Sequence, residues 1–306
     1  MTGKQFIGKA KTLSRRTLFR IIPSTNLFDK WIAWVRYVLT FRRVPNFSHP
    51  TRLTEFIALQ RFAAPDPLLS AFTSDKALAK HYIASKLLQM GLDPAPLLAQ
   101  TLYVTKDLND PYFDSVIGPC VVKTTHASGG VVVIREPRKL TEEDRAVLRK
   151  SLSKNYYIEH RERNYLLLTP KIMVEEFIPG QDGDIPSDYK LFVFRGHPVL
   201  FHLDYDRFTN HKRQIYDPEF NQLPVKYLKD PGTRKFDRPV HFDLMKRIAS
   251  EIGKDFELVR VDFFAQGDRL IVGELTHIAD AGGVIFEPAS FDEEVMRPYL
   301  SKPALK

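Results

Sequence analysis

The chain has 306 residues, 43% hydrophobic and 27% charged, with a formal net charge of +8 at pH 7. This suits a soluble globular protein large enough for two or three subdomains. Its single Cys120 excludes an intramolecular disulfide framework and fits a reducing compartment.

Lys4, Lys9, Lys11, Arg15, Arg16 and Arg20 precede any acidic residue. Lys30, Arg36, Arg42 and Arg43 follow, interleaved with Trp31, Trp34, Tyr37 and Phe41. Three readings stand: a solvated helix whose aromatics pack on the body, contact with an anionic membrane surface, or nucleic-acid binding. No known nucleic-acid module is visible, so no such partner is expected. The stretch Trp31 to Leu39 is short and broken by Arg36, so no membrane-spanning helix is expected. Ser14-Arg15-Arg16 looks like an export signal, but Pro23, Asp29 and Lys30 interrupt the apolar run it needs.

Residues 1–70 read as a basic helical region, with helices at Asp29 to Leu39 and Leu53 to Phe62, the second capped by Thr51 or Thr54. Ala64 to Pro67 is a break, and Ser74 is expected to cap a helix running to Met90 and stopping at Gly91. Val116 to Lys123 and Gly130 to Ile134 form a hairpin, Thr141 to Ser153 a helix, and Lys171 to Ile178 a strand. Tyr189 to Phe194 and Pro198 to Asp204 make a second hairpin, and Phe242 to Ile252 a helix. Phe256 to Phe264 and Leu270 to Thr276 close the order as two strands joined at Gln266-Gly267-Asp268. The class is α+β with mostly antiparallel sheets. Expected divisions are 1–70, 71–178 and 179–306.

The last strand pair carries most of the chemical signal. Asp262 and Glu274 each sit among apolar residues, where an unpaired carboxylate is costly. Arg260, two residues before Asp262, shares its face. Either a cation site suited to a polyphosphate or an internal salt-bridge network accounts for this. Lys123 ends a buried strand before Ser128-Gly129-Gly130, which is a phosphate-cradling loop or a plain hairpin turn. Glu175 and Glu176 appear abruptly in an apolar strand. Asp204-Tyr205-Asp206-Arg207 and Asn210-His211-Lys212-Arg213 form either an anion clamp or a solvated loop. His277, Asp280 and the small residues to Gly283 look like a loop closing over a site.

In this order the pieces resemble the ATP-grasp superfamily, and more closely its TupA-like branch, named for teichuronopeptide biosynthesis. The resemblance rests on Lys123 with its glycine loop, Glu175-Glu176-Phe177-Ile178, Arg260-x-Asp262 and Glu274-x-Thr276. The strings His49 to Glu55, Ser74-Asp75-Lys76 with Tyr82-Ile83, Asp188-Tyr189-Lys190, Asp206-Arg207 and His211-Lys212-Arg213 support the branch. The resemblance spans about residues 26 to 290.

It implies two α+β subdomains that clamp ATP, with a mobile lid around residues 120 to 175. Lys76 and Lys123 then meet the phosphates or adenine, and Ser128, Gly129 and Gly130 cover the phosphates. Glu175 takes the adenine amino group beside Glu176, while Phe177 and Ile178 pair with the ring. Asp182 or Asp184 holds the ribose. Lys190 and Arg260 face the transferred phosphate, and Arg207, His211 and Arg213 the substrate. Asp262, Glu274 and Thr276 are the expected Mg²⁺ ligands, although many relatives of the superfamily carry Asn where Thr276 stands. Thr54-Glu55-Phe56 lacks the branch's usual Lys, and His126-Ala127 alters the phosphate loop. The implied activity is a cytoplasmic carboxylate–amine ligase in cell-surface polymer synthesis, acting on a uronic-acid glycan or similar carboxylate and an amine or amino acid. A sugar or lipid kinase, or a non-catalytic glycan- or membrane-binding relative, are the alternatives. Replacing Asp262 or Glu274 is expected to abolish ATP turnover with little effect on folding.

Overall fold

A four-stranded and a six-stranded antiparallel sheet, each with its own core, organise the chain in the computed structural model, which describes residues 21–180, 187–206 and 209–305. The basic stretch before Ile21, Asp182, Asp184 and Arg207 lie outside the described residues. Among the described residues no helix is long and apolar enough to cross a membrane.

The chain then runs through α1 (Asn26–Phe41), α2 (Leu53–Leu59), α3 (Pro67–Ser74) and α4 (Lys76–Gln89). Their starts differ from expectation because carboxylates out-compete hydroxyls for helix N–H groups. The Glu55 carboxylate accepts from the N–H groups of Asn46, Thr51 and Arg52, so neither Thr51 nor Thr54 caps α2. Asp66 caps α3 with Pro67 in its first turn, which turns the expected break into a helix start. Asp75, not Ser74, caps α4 through the N–H groups of Ala77 and Leu78.

The smaller sheet contains β1 (Thr101–Thr105), β2 (Cys120–Thr124), β3 (Val131–Ile134) and β4 (Ile172–Glu176), in the order β1-β4-β2-β3. Between them run α5 (Tyr112–Ser115), α6 (Glu142–Leu152) and α7 (Tyr156–His160). Val122, Ile134, Leu148, Ile172 and Val174 make its core, with Cys120 as a buried thiol. Strand β1 escapes sequence reading because, as an edge strand, it stays half exposed and lacks an apolar alternation.

The larger sheet takes β5 (Ser187–Phe194), β6 (His197–Tyr205), β7 (Lys212–Tyr216) and β8 (Gln222–Leu223). A short strand β9 (Lys226–Tyr227) and helix α8 (Phe242–Gly253) precede β10 (Leu258–Gln266) and β11 (Arg269–Thr276). The order is β11-β10-β5-β6-β7-β8. One face buries Leu191, Phe201 and Val261 against α8 and against Tyr82, Ile83 and Leu87 of α4. Helix α4 thus packs into the larger core, although its sequence lies next to the smaller sheet. On the other face Phe192, Leu200 and Ile215 meet Leu53, Phe56 and Ile57 of α2. A short turn at Ala279–Gly282, strand β12 (Phe286–Glu287), which pairs with β9, and helix α9 (Phe291–Glu294) complete the chain.

Candidate active site

Residues paired across an antiparallel sheet share a face, as do alternate residues along each strand. The registers therefore place Glu274, Asp262, Lys190 and His202 in one row across β11, β10, β5 and β6. Asp188, Asp204 and Arg213 lie in the next row. A bulge at Gly273 interrupts the β10–β11 register just after the Asp262–Glu274 pair. A Cβ at Gly273 would lie 2.8 Å from the Phe264 ring and 3.2 Å from the Asp262 carbonyl oxygen, so any larger residue there would have to displace the ring.

Asp262 is buried. It accepts from Arg260 Nε at 2.7 Å, Arg260 Nη2 at 2.8 Å and Lys190 Nζ at 3.0 Å. Lys190 also pairs with Asp188. Burial pushes the Asp262 carboxyl up, but Arg260 and Lys190 outweigh it and hold it below the usual range. In Lys190, burial is likewise outweighed by Asp188 and Asp262, which raise it. Thr276 spends its hydroxyl oxygen on Arg260 Nη2 at 3.0 Å. Of the two expected arrangements the structure shows the salt-bridge network, with Asp262 as its hub.

Glu274 differs. Its side chain is 43% exposed and faces Lys76 Nζ at 3.7 Å. Among the described residues no third acid, His or Cys joins Asp262 and Glu274 to complete a protein-only metal cage. The all-oxygen pair still suits a hard cation such as Mg²⁺, which keeps waters and phosphate oxygens in its shell. A carboxylate offers about four acceptor sites. Three are used at Asp262, while Glu274 is largely open.

At the smaller sheet, Glu175 accepts from Lys80 Nζ at 2.8 Å and pairs with Lys123. Burial alone would raise its carboxyl, yet the two lysines hold it below the usual range. Glu176 receives the Gln100 N–H at 2.9 Å and Arg269 Nη2 at 2.8 Å, which makes it a strut between the two sheets. Phe177 and Ile178 follow β4 as half-buried coil. Lys76 bridges the two halves. Its Nζ donates to the Ala127 carbonyl at 2.9 Å, and its backbone N–H to the Thr125 carbonyl at 3.0 Å. The Ser128–Gly129 tip is exposed, with Gly129 at φ +81° and Gly130 at φ +63°. A Cβ at Gly130 would collide with Ser151.

The polar string at 206–213 is not wholly a loop, because β7 begins at Lys212. Arg213 is buried and bidentate to Asp204 at 2.6 and 3.0 Å, and reaches Asp280 at 3.3 Å. Its guanidinium stacks on Tyr227, whose hydroxyl donates to Asp280. His211 Nε2 lies 3.2 Å from Asp204. Arg213 therefore already has two carboxylate partners. Sequence reading placed Asp204 in the same polar cluster as Arg213, and the structure pairs the two; it missed Lys80 and Tyr227. Lys80 stands one helical turn after Lys76 and was findable by that spacing. Tyr227 carries no such signal.

The model of the family described as TupA-like ATPgrasp matches residues 66–297. No curated protein matches the chain. Among solved structures, D-alanine–D-alanine ligase from Helicobacter pylori is 16% identical with a TM-score of 0.40, covering 77% of this chain and 62% of its own. The Bacillus anthracis D-alanine–D-alanine ligase complexed with ATP is 14% identical with a TM-score of 0.36, covering 73% and 56%. L-amino acid ligase from Bacillus licheniformis is 16% identical with a TM-score of 0.40, covering 76% and 51%. The chain thus spans less than two thirds of each of these proteins.

Proposed function

The chain belongs to the TupA-like ATP-grasp family, and on that premise we propose that it is an ATP-dependent carboxylate–amine ligase. One observation carries the proposal. Asp262 and Glu274 face each other across β10 and β11, with Arg260 and Lys190 at the first carboxylate and Lys76 at the second. Acid pairs and cations in that juxtaposition suit a polyphosphate and its counter-ion.

In this reading Glu175, kept ionised by Lys80 and Lys123, accepts the adenine amino group, and the main chain of Phe177 and Ile178 pairs with the ring. Glu176 holds that edge in place, and Asp182 takes the ribose. Lys76, Lys123 and the N–H groups of Ser128, Gly129 and Gly130 bind the phosphates. Asp262 and Glu274, with Thr276 beside them, would hold Mg²⁺, which when bound offsets charge on the β- and γ-phosphates. Lys190 and Arg260 face the oxygens of the phosphoryl group in transit.

The donor carboxylate oxygen bonds to the γ-phosphorus as the bond to ADP breaks. The amine nitrogen then attacks the acyl carbon, phosphate leaves, and the amine loses a proton. Arg207, His211 and Arg213 are the residues proposed to bind the donor carboxylate, and closure of the smaller sheet would keep water from the acyl phosphate. A uronic-acid glycan and an amino acid are the proposed substrates in surface-polymer synthesis. The proposed location is cytoplasmic, peripheral to the inner membrane face.

An ADP-release screen of amines against uronic-acid acceptors, with products identified by mass, tests this. The expected result is an amide with ADP and phosphate. A stable phosphorylated product instead means a kinase, and no turnover with any pair means a binding protein.

A further inference from the structure

The positive charge of the chain is concentrated at one end. Residues 1–43 contain ten Lys and Arg side chains and one acid, Asp29. The remaining 263 residues carry 35 basic and 36 acidic side chains, so they are close to neutral.

Helix α1 stands in that basic segment and presents an apolar face to solvent. Leu27 is 75% exposed, Trp31 57% and Trp34 40%. With the half-buried Val38 they follow the i, i+4, i+7, i+11 spacing of a single helix face. Ile21, Leu39 and Val44 nearby in the chain are also exposed, and exposed Lys30 and Arg42 flank the face.

The opposite face is fixed to the body. Buried Asp29 accepts from the Tyr157 hydroxyl at 2.8 Å, Arg163 at 2.9 Å and Arg161 at 3.3 Å. Tyr37 pairs with Thr54 at 3.0 Å, and Arg36 donates to the His160 carbonyl at 2.9 Å. Rolling the tryptophans inward would break these bonds and bare a buried carboxylate, so the outward face is held in place.

We propose that this face of α1 docks on an anionic lipid bilayer. Leu27, Trp31 and Trp34 enter the boundary between headgroups and acyl chains, where tryptophan is favoured, while the surrounding cations meet the lipid charge. A second copy of the chain fits the face poorly, because pairing would bring two strongly basic segments together. The inference does not depend on the nucleotide site, and its test does not involve that site.

Trp31 and Trp34 are the only tryptophans in the chain, so their fluorescence reports on this face alone. Full-length protein is titrated with phosphatidylglycerol-containing vesicles and with phosphatidylcholine vesicles. The expected result is a blue shift with the anionic vesicles and binding at least about tenfold weaker to the neutral ones, given roughly fivefold per cation that reaches the surface. High salt weakens the anionic binding. The Trp31→Ala/Trp34→Ala variant, checked for unchanged thermal unfolding, is expected to co-sediment at least about tenfold more weakly. Equal binding to both vesicle types, equal binding by the double variant, or no shift at all overturns the proposal. So does a dimer in solution that the double variant abolishes.

Discussion

Asp262 and Glu274 look alike in sequence and differ in the fold. Asp262 compensates two buried cations, so Asp262→Asn leaves Lys190 paired with Asp188 alone and Arg260 with only the charge of Asp280. Breaking a buried pair in this way costs about 3–5 kcal/mol. Glu274 is part exposed with one loose partner, and Glu274→Gln should change stability by no more than about 0.5 kcal/mol. The burial of Asp262 and the exposure of Glu274 therefore predict that only Glu274→Gln spares folding. Denaturant titration with an ADP-release assay checks this: both variants lose turnover, and only Asp262→Asn also loses stability. Wild-type turnover in Glu274→Gln would sink the metal assignment. Arg260, Asp262 and Glu274 were legible because charge in an apolar strand is conspicuous. The pairings of Lys190 with Asp188 and of Lys80 with Glu175 were not, because they join side chains whose meeting is set by the fold.

The β2–β3 hairpin makes a separate claim about how its loop is built. Gly129 and Gly130 both have positive φ, but Gly129 has open space around it while Gly130 packs against Ser151 and Thr124. Gly129→Ala should cost about 1–2 kcal/mol from backbone conformation alone. Gly130→Ala adds a collision and should cost more, with a larger rise in the KM for ATP. Thermal unfolding and ATP kinetics of the two variants test the order, and equal behaviour would refute the packing argument. Elements with strong periodicity, such as α8, β10 and β11, were legible within a residue or two. The starts of α3 and α4 were not, because Asp66 and Asp75 took the capping roles. Strand β7 was hidden because it opens on the polar residues Lys212, Arg213 and Gln214: buried Arg213 is neutralised by Asp204, a neighbour on another strand.

At the scale of the whole molecule, buried imidazoles tie stability to pH. His277 Nε2 lies 2.8 Å from the Thr73 hydroxyl oxygen, and burial pushes the ring down from 6.5 to about 4. Burial also pushes His202 well below its usual value. The unfolded chain binds these protons below about pH 6.5 and the folded chain does not, so stability is full above that pH and falls as pH drops towards 4. His277 alone should remove about 2 kcal/mol between pH 7 and pH 5. Chemical denaturation at the two values checks this: wild type should lose at least that much, and His277→Gln should lose less by about the same amount. The ATP-grasp family and the α+β class were legible from ordered motifs spread along the chain. The charged rows across the larger sheet were not, because register is set in space. One such contact also constrains how the family can diverge. Asp204 and Arg213 form a bidentate pair between neighbouring strands, nine residues apart and buried together. A lineage that loses Asp204 leaves buried Arg213 with only its longer contact to Asp280, so the two positions should change together or stay fixed together as sequences drift.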